Sequence, residues 1–209
     1  MPVTVLVTGF GPFPGAAFNP TERLVIRLSQ LRRPAVADAK IVSHIFTTSY
    51  AAVDEELPKL IAKHRPDALL MFGLATRTKT LRVETRARNS VVLIPDATGK
   101  TARRTVIRMA APASCRLPGP VQKLLSVLRG AQVPVRLSRD AGRYLCNYLC
   151  WRAAEATRKK RPRLAAFIHV PQVRRGARPK RSNKAQLSLD DLVRAGGRVM
   201  ATIVAEARR

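Results

Sequence analysis

The sequence predicts an α/β protein built on a mostly parallel, twisted central sheet. Three observations carry this expectation. Short apolar runs of strand length alternate along the chain with amphipathic segments of helical period, which is the pattern of βαβ units. Several of those runs, such as Val3–Val7 and Leu164–Val170, are apolar apart from Thr4 and His169, as expected of strands covered on both faces. No internal repeat and no long linker divides the 209 residues, so residues 1–209 read as a single domain.

Taken in order, Val3–Val7 (VTVLV) is a β-branched run that feeds at once into Gly9, Gly11 and Pro12, a buried strand entering a glycine-containing loop. Pro20 and Thr21 open a helix whose apolar stripe is Leu24, Val25 and Leu28, ending before Pro34. Lys40–Thr47 alternates as a second strand. Tyr50–Arg65 has helical period through Val53, Leu57, Leu60 and Ile61, with Pro58 expected to interrupt it or to define its first turns. Ala68–Phe72 (ALLMF) is a third buried strand closed by Gly73. The stretch Leu81–Ile94 mixes polar and apolar residues up to the turn at Pro95-Asp96. A helix follows over Leu117–Leu128, then a short strand over Val133–Leu137. Asp140–Thr157 reads as a helix with Asp140 as its N-cap. Leu164–Val170 ends at Pro171, and Ser188 with Asp191 forms a capping box that opens a last helix carrying Leu192, Val199, Ile203 and Val204.

Composition narrows the function. Hydrophobic residues make up 46% of the chain, which excludes a disordered basic tail. No apolar run approaches the ~18 residues of a membrane span. Three cysteines argue against a disulfide-dense secreted scaffold, and no basic, apolar leader opens the chain, so the expectation is a soluble cytoplasmic protein. A formal net charge of +26 attracts polyanions. The densest basic stretch, Arg174–Lys184, carries glycine and proline but no aromatic residue to stack on bases, and zinc-finger spacing is absent. The charge is therefore read as a solvated surface that binds nucleic acid only non-specifically.

Few residues can carry chemistry. Cys146 lies early in the Asp140 helix, where the positive helix end favours a thiolate; the competing reading is a small buried apolar side chain. His169 closes the most apolar strand, at the end of a parallel sheet where ligands bind; the competing reading is a satisfied structural histidine. Glu84 stands alone among Arg82, Arg86 and Arg88, either as a surface ion pair or as the carboxylate that orients an imidazole. Cys115 is given no role, the spacings suit no metal, and no cofactor is expected.

Four segments, in order, resemble the pyroglutamyl peptidase I (pyrrolidone-carboxylate peptidase) family of cysteine peptidases. They are VLVTGFGPFPGAAFNPTE at the start, Glu84 with Ala87 and Asn89, SRDAGRYLCN around Cys146, and FIHVP around His169; the closing SLDDLVRA is similar as well. The resemblance implies a three-layer α/β/α sandwich and removal of N-terminal pyroglutamate from peptides through a thioester. It implies Cys146 as nucleophile, His169 as base and Glu84 as its orienting acid. Phe10 and Phe13 would enclose the lactam ring, with Asn19 and Leu74 beside it, and the assembly would be a homo-oligomer, dimer or tetramer. The chain departs from the family at Leu74, often a glutamine, and at Leu93, usually an arginine before Ile-Pro, for which Arg86 or Arg88 are the candidate replacements. Two alternatives follow: a catalytically altered or inactive relative acting as a binding module, and a nucleic-acid-associated protein on the same fold.

Overall fold

The apolar runs assemble into one six-stranded sheet in the computed structural model, which describes residues 2–159, 161–174 and 186–209. Its strands are β1 (Thr4–Phe10), β2 (Lys40–Phe46), β3 (Ala68–Leu74), β4 (Leu81–Glu84), β7 (Val135–Ser138) and β8 (Leu164–Val170). They are ordered β2-β1-β3-β8-β4-β7. All neighbours pair parallel except β4 and β8, which are antiparallel. A separate two-stranded ribbon joins β5 (Arg86–Arg88) to β6 (Ser114–Arg116).

Every residue of β1 and β3 is buried, which explains why their sequences are apolar without alternation. Successive side chains still point to opposite faces. Val5, Val7, Leu70, Phe72 and Ile168 pack on one side with α1 (Pro20–Ser29), α3 (Val121–Gly130) and α5 (Leu189–Ala207). Leu6, Leu69, Met71 and Phe167 pack on the other with α2 (Tyr50–His64) and α4 (Leu145–Ala156), where Trp151 is the largest side chain fully buried. Each Leu, Ile or Phe withdrawn from water in this way contributes about 1.5–3 kcal/mol, so the two apolar layers drive the three-layer arrangement. The Ser188–Asp191 capping box is formed at the start of α5.

Some elements differ from the sequence expectation. The helix expected from Asp140 begins five residues later, at Leu145. Gly142 has φ +84, a left-handed conformation that helix cannot continue through, and Asp140 instead accepts the Gly142 N–H at 3.0 Å. Residues 117–120 are not helical, because Pro118 and Pro120 hold the chain extended until Val121. Pro58 lies within α2 rather than ending or starting it. α1 does open at Pro20 and Thr21 as expected, with Asn19 as its cap, accepting the Thr21 N–H at 3.1 Å. The antiparallel β4 and the β5 strand of the ribbon come from the mixed stretch 81–94, whose pattern had no single period, and β6 from Ser114–Arg116, to which the sequence reading gave no element. Of the basic Arg174–Lys184 stretch, residues 175–184 lie outside the described residues. No helix among the described residues is long and apolar enough to cross a membrane.

Candidate active site

Strands β1, β3 and β8 end side by side at one edge of the sheet, and the first turn of α4 starts above them. Because β3 and β8 pair in register, Gly73 sits directly beside His169. Because β8 and β4 pair antiparallel, Arg82 sits on the other side of His169 and Glu84 pairs with Phe167 one step further in. Paired residues share a face, as do residues two apart. Thus β4 presents Glu84 on the face that carries His169, although 85 positions separate the two.

His169 Nδ1 donates to Glu84 Oε1 at 2.8 Å, with Glu84 1% exposed and His169 4% exposed. The second ring nitrogen is left for Cys146, with which His169 shares a side-chain hydrogen bond. Burial alone lowers the imidazole pKa, but charge and hydrogen bonding from Cys146, followed by those from Glu84, outweigh it and push the pKa from 6.5 up to about 9. The imidazole therefore holds its second proton at neutral pH. Cys146 occupies the second position of α4 and is half-buried. Tyr144, the N-cap, makes no side-chain capping bond, so the first-turn N–H groups of α4 are left for a ligand.

The other cysteines lack this setting. Burial pushes the Cys150 thiol far up and the Cys115 thiol up as well, and all three cysteines are free. Asn147, fully buried, fixes the start of α4. It donates to the Arg88 and Ser90 carbonyls at 2.9 and 3.0 Å and accepts the Arg88 N–H at 2.8 Å.

A cavity of about 530 Å³ opens over Cys146 and His169 and is lined as well by Phe10, Phe13, Asn19 and Leu74. Glu84 is behind it, reaching the cavity only through His169. Asn19 spends its oxygen on the Thr21 N–H and hydroxyl and donates to the Gly11 carbonyl, so it holds the Phe10–Phe13 turn against α1. Tyr144 faces Phe13 with ring centroids 6.4 Å apart. Sequence reasoning missed Tyr144 as a wall of the cavity, although it lies inside the segment around Cys146. Leu93 is 52% exposed and Arg86 bonds Ser114, while Arg88 pairs with Asp140 at 3.2 Å. The arginines that line the cavity are instead Arg77, Arg82 and Arg136. A larger depression of about 1000 Å³ beside β7 and α3 contains neither cysteine nor histidine. Among the described residues no group of histidine, cysteine and carboxylate side chains could hold a metal ion.

Gly73 makes the sulfur's place. A Cβ there would lie 2.7 Å from Cys146 Sγ and 2.6 Å from Phe167 Cζ. Phe167 is in the core and cannot retreat, so the half-buried sulfur must give way. We expect Gly73→Ala to displace the thiol and lower kcat/KM by on the order of 100-fold, the usual cost of a misplacement near 1 Å. Steady-state kinetics beside circular dichroism checks this; full activity in the folded variant would show that the sulfur needs no such clearance.

The arrangement joins a thiol, a protonated imidazole held by a buried carboxylate, free N–H groups at a helix start and an aromatic-walled cavity. Those parts suit acyl transfer to sulfur. Known proteins agree. A curated relative, the pyrrolidone-carboxylate peptidase of Pyrococcus furiosus, is 32% identical over 171 residues, covering 81% of each chain. That of Thermococcus onnurineus is 31% identical over 196 residues, covering 91% of this chain and 94% of its own. Among solved structures, a mutant pyrrolidone carboxyl peptidase from P. furiosus superposes with a TM-score of 0.85 at 28% identity, covering 98% of this chain and 99% of that one. Pyroglutamyl peptidase I of Bacillus amyloliquefaciens does so with 0.83 at 27%, covering 98% of each. The family model described as pyroglutamyl peptidase matches residues 3–208, nearly the whole length over which these site residues are spread, and the chain belongs to that family.

Proposed function

We propose that this protein is a cysteine exopeptidase that removes N-terminal pyroglutamate from peptides, with Cys146 as nucleophile, His169 as acid and base, and Glu84 as the residue that orients His169. The observation that carries the reading is the Cys146–His169–Glu84 chain of hydrogen bonds at the mouth of the aromatic-walled cavity, in a sequence that matches the family over residues 3–208. The same match supports residues 1–209 as one catalytic domain.

The chemistry follows from the geometry. The Cys146 thiolate attacks the carbonyl carbon between pyroglutamate and the next residue, and the carbonyl electron pair moves onto oxygen. First-turn N–H groups of α4 stabilise that oxyanion; a donor of this kind typically contributes ~3 kcal/mol. As the oxyanion collapses, the C–N bond breaks and the His169 imidazolium gives its proton to the departing amine. A water molecule, deprotonated by the now neutral imidazole, attacks the thioester and releases pyroglutamate, returning the proton to the pair. Phe10, Phe13 and Tyr144 supply flat apolar walls for the lactam ring, with Asn19 bracing the turn that carries the two phenylalanines. Leu74 offers that ring apolar contact and no hydrogen bond.

Acid quenching during turnover of a pyroglutamyl amide tests the reading. One pyroglutamyl acyl group is expected on the peptide containing Cys146, in mass spectrometry of the digest. Absence of both turnover and adduct in folded protein would sink it. A cytoplasmic homo-oligomer is part of the proposal. The exposed Leu93, Ile94, Val106 and Met109 support the oligomer, on two segments joined where the Val91 N–H meets the Thr105 carbonyl. Sedimentation should show a species larger than one chain, shrinking to a monomer when Leu93 and Met109 become Asp.

A further inference from the structure

The sheet lays the cavity out in a line. Moving across β1, β3, β8, β4 and β7, it passes Phe10, Leu74, His169, Arg82 and Arg136. Arg82 is the register partner of His169 on one side and of Arg136 on the other. All three share the face toward α4, and all line the cavity. With strands spaced ~4.8 Å, Arg82 stands one spacing from His169 and Arg136 two.

This order fixes which part of a substrate meets the arginines. The lactam ring lies on the β1 side among the aromatic rings, and His169 protonates the departing amine. The remainder of the peptide therefore leaves over β4 and β7. At about 3.3 Å per extended residue, the first two residues after pyroglutamate pass over Arg82 and into the gap between it and Arg136, within reach of the two long side chains.

Among the described residues these two arginines have no ion-pair partner. Arg82 Nε is buried with no hydrogen-bond partner among the described residues, so its donor is left for a group that enters the cavity, water or ligand. Among the described residues, no carboxylate pairs with Arg77, Arg82 or Arg136. Asp140 lines the same cavity, but its carboxylate is taken by Arg88 at 3.2 Å and by the Gly142 N–H at 3.0 Å. Guanidinium groups match carboxylates in planar, two-pronged geometry.

We infer that Arg82 and Arg136 form a leaving-side subsite for a carboxylate, so that the protein prefers pyroglutamyl peptides with an acidic residue, or a free C-terminal carboxylate, within two positions of the cleaved bond. The inference rests on the peptidase reading above, because that reading places the leaving peptide on this side.

The test compares kcat/KM for pyroglutamyl-alanyl-alanine amide with that for its analogues carrying Glu at the first or second leaving position, Lys at the first, or a dipeptide ending in a free carboxylate. Acidic substrates are expected to exceed the neutral one by roughly two- to fivefold, as for a partly exposed charged pair, and the lysyl peptide to fall below it. The glutamyl amides and the free dipeptide separate a side-chain carboxylate from a chain terminus as the group recognised. Raising the salt should shrink the preference. In Arg82→Gln/Arg136→Gln the ratio of acidic to neutral should collapse toward one, whatever happens to either rate. Arg136→Gln alone, on an exposed edge strand, should lower it partway without threatening the fold. Equal rates for acidic and neutral peptides in the wild type would overturn the inference while leaving the peptidase reading standing, as would a preference that survives the double substitution. If no pyroglutamyl peptide is turned over, the peptidase reading falls instead. Calorimetric affinities of Cys146→Ala for the same peptides then decide the carboxylate preference without chemistry, equal affinities overturning it.

Discussion

Cys146→Ala should abolish hydrolysis of pyroglutamyl amides, lowering kcat by on the order of 10⁵-fold or more, as expected when the proposed nucleophile of a cooperating set is removed. The fold should survive. The position is half-buried in the first turn of a helix, alanine suits it, and the remaining anchors of that turn, through Asn147 to the Arg88 and Ser90 carbonyls, do not involve the sulfur. The substitution also has a signature independent of turnover. The two leading causes that raise the His169 pKa both come from Cys146, against burial that lowers it. Without the sulfur, burial gains weight and the imidazole should titrate below its present value of about 9. An NMR titration of the His169 ring reads this directly. A folded Cys146→Ala protein that still hydrolysed the amide would remove Cys146 from the mechanism.

Glu84→Gln should lower kcat by about 10³–10⁴-fold, the scale seen when the carboxylate that orients a catalytic histidine is made neutral. Glutamine keeps the size, and its carbonyl oxygen can still accept from His169 Nδ1, so packing changes little. What disappears is the negative charge that favours the imidazolium and fixes which nitrogen faces Cys146. The pH dependence gives the sign. His169 has a folded pKa raised from 6.5 to about 9. Stability linked to its protonation is therefore fully present below about pH 6.5 and is lost as pH rises through 9. Activity needs the imidazolium to protonate the leaving amine, so the alkaline limb of the wild-type rate profile should fall near pH 9. Glu84 contributes part of the upward shift, and Glu84→Gln should move both the alkaline limb and the loss of thermal stability to lower pH. A variant with an unmoved alkaline limb would show that Glu84 only packs beneath His169.

Much of this protein is legible in its sequence because local rules and tertiary demands coincide. Val3–Val7, Ala68–Phe72 and Leu164–Val170 are strands by composition and lie in the sheet where it is covered on both faces, so their residues are nearly all apolar. The Ser188–Asp191 box caps α5 because capping is decided within four residues. Cys146 and His169 could be named because a sulfur near a helix start and a histidine at a strand end are local signals. The start of α4 was misplaced because the local preference of Asp140 for an N-cap loses to the left-handed Gly142 beside it. The antiparallel direction of β4 could not be read at all, since four residues contain no information about their partner. That direction decides the site. It places Glu84 under His169, sets Arg82 beside it, and carries the line on to Arg136. Sequence alone determined most of the strands and helices and singled out Cys146, His169 and Glu84. Strand pairing across distances of many tens of residues, driven by burial of both sheet faces, decided which charges stand around them.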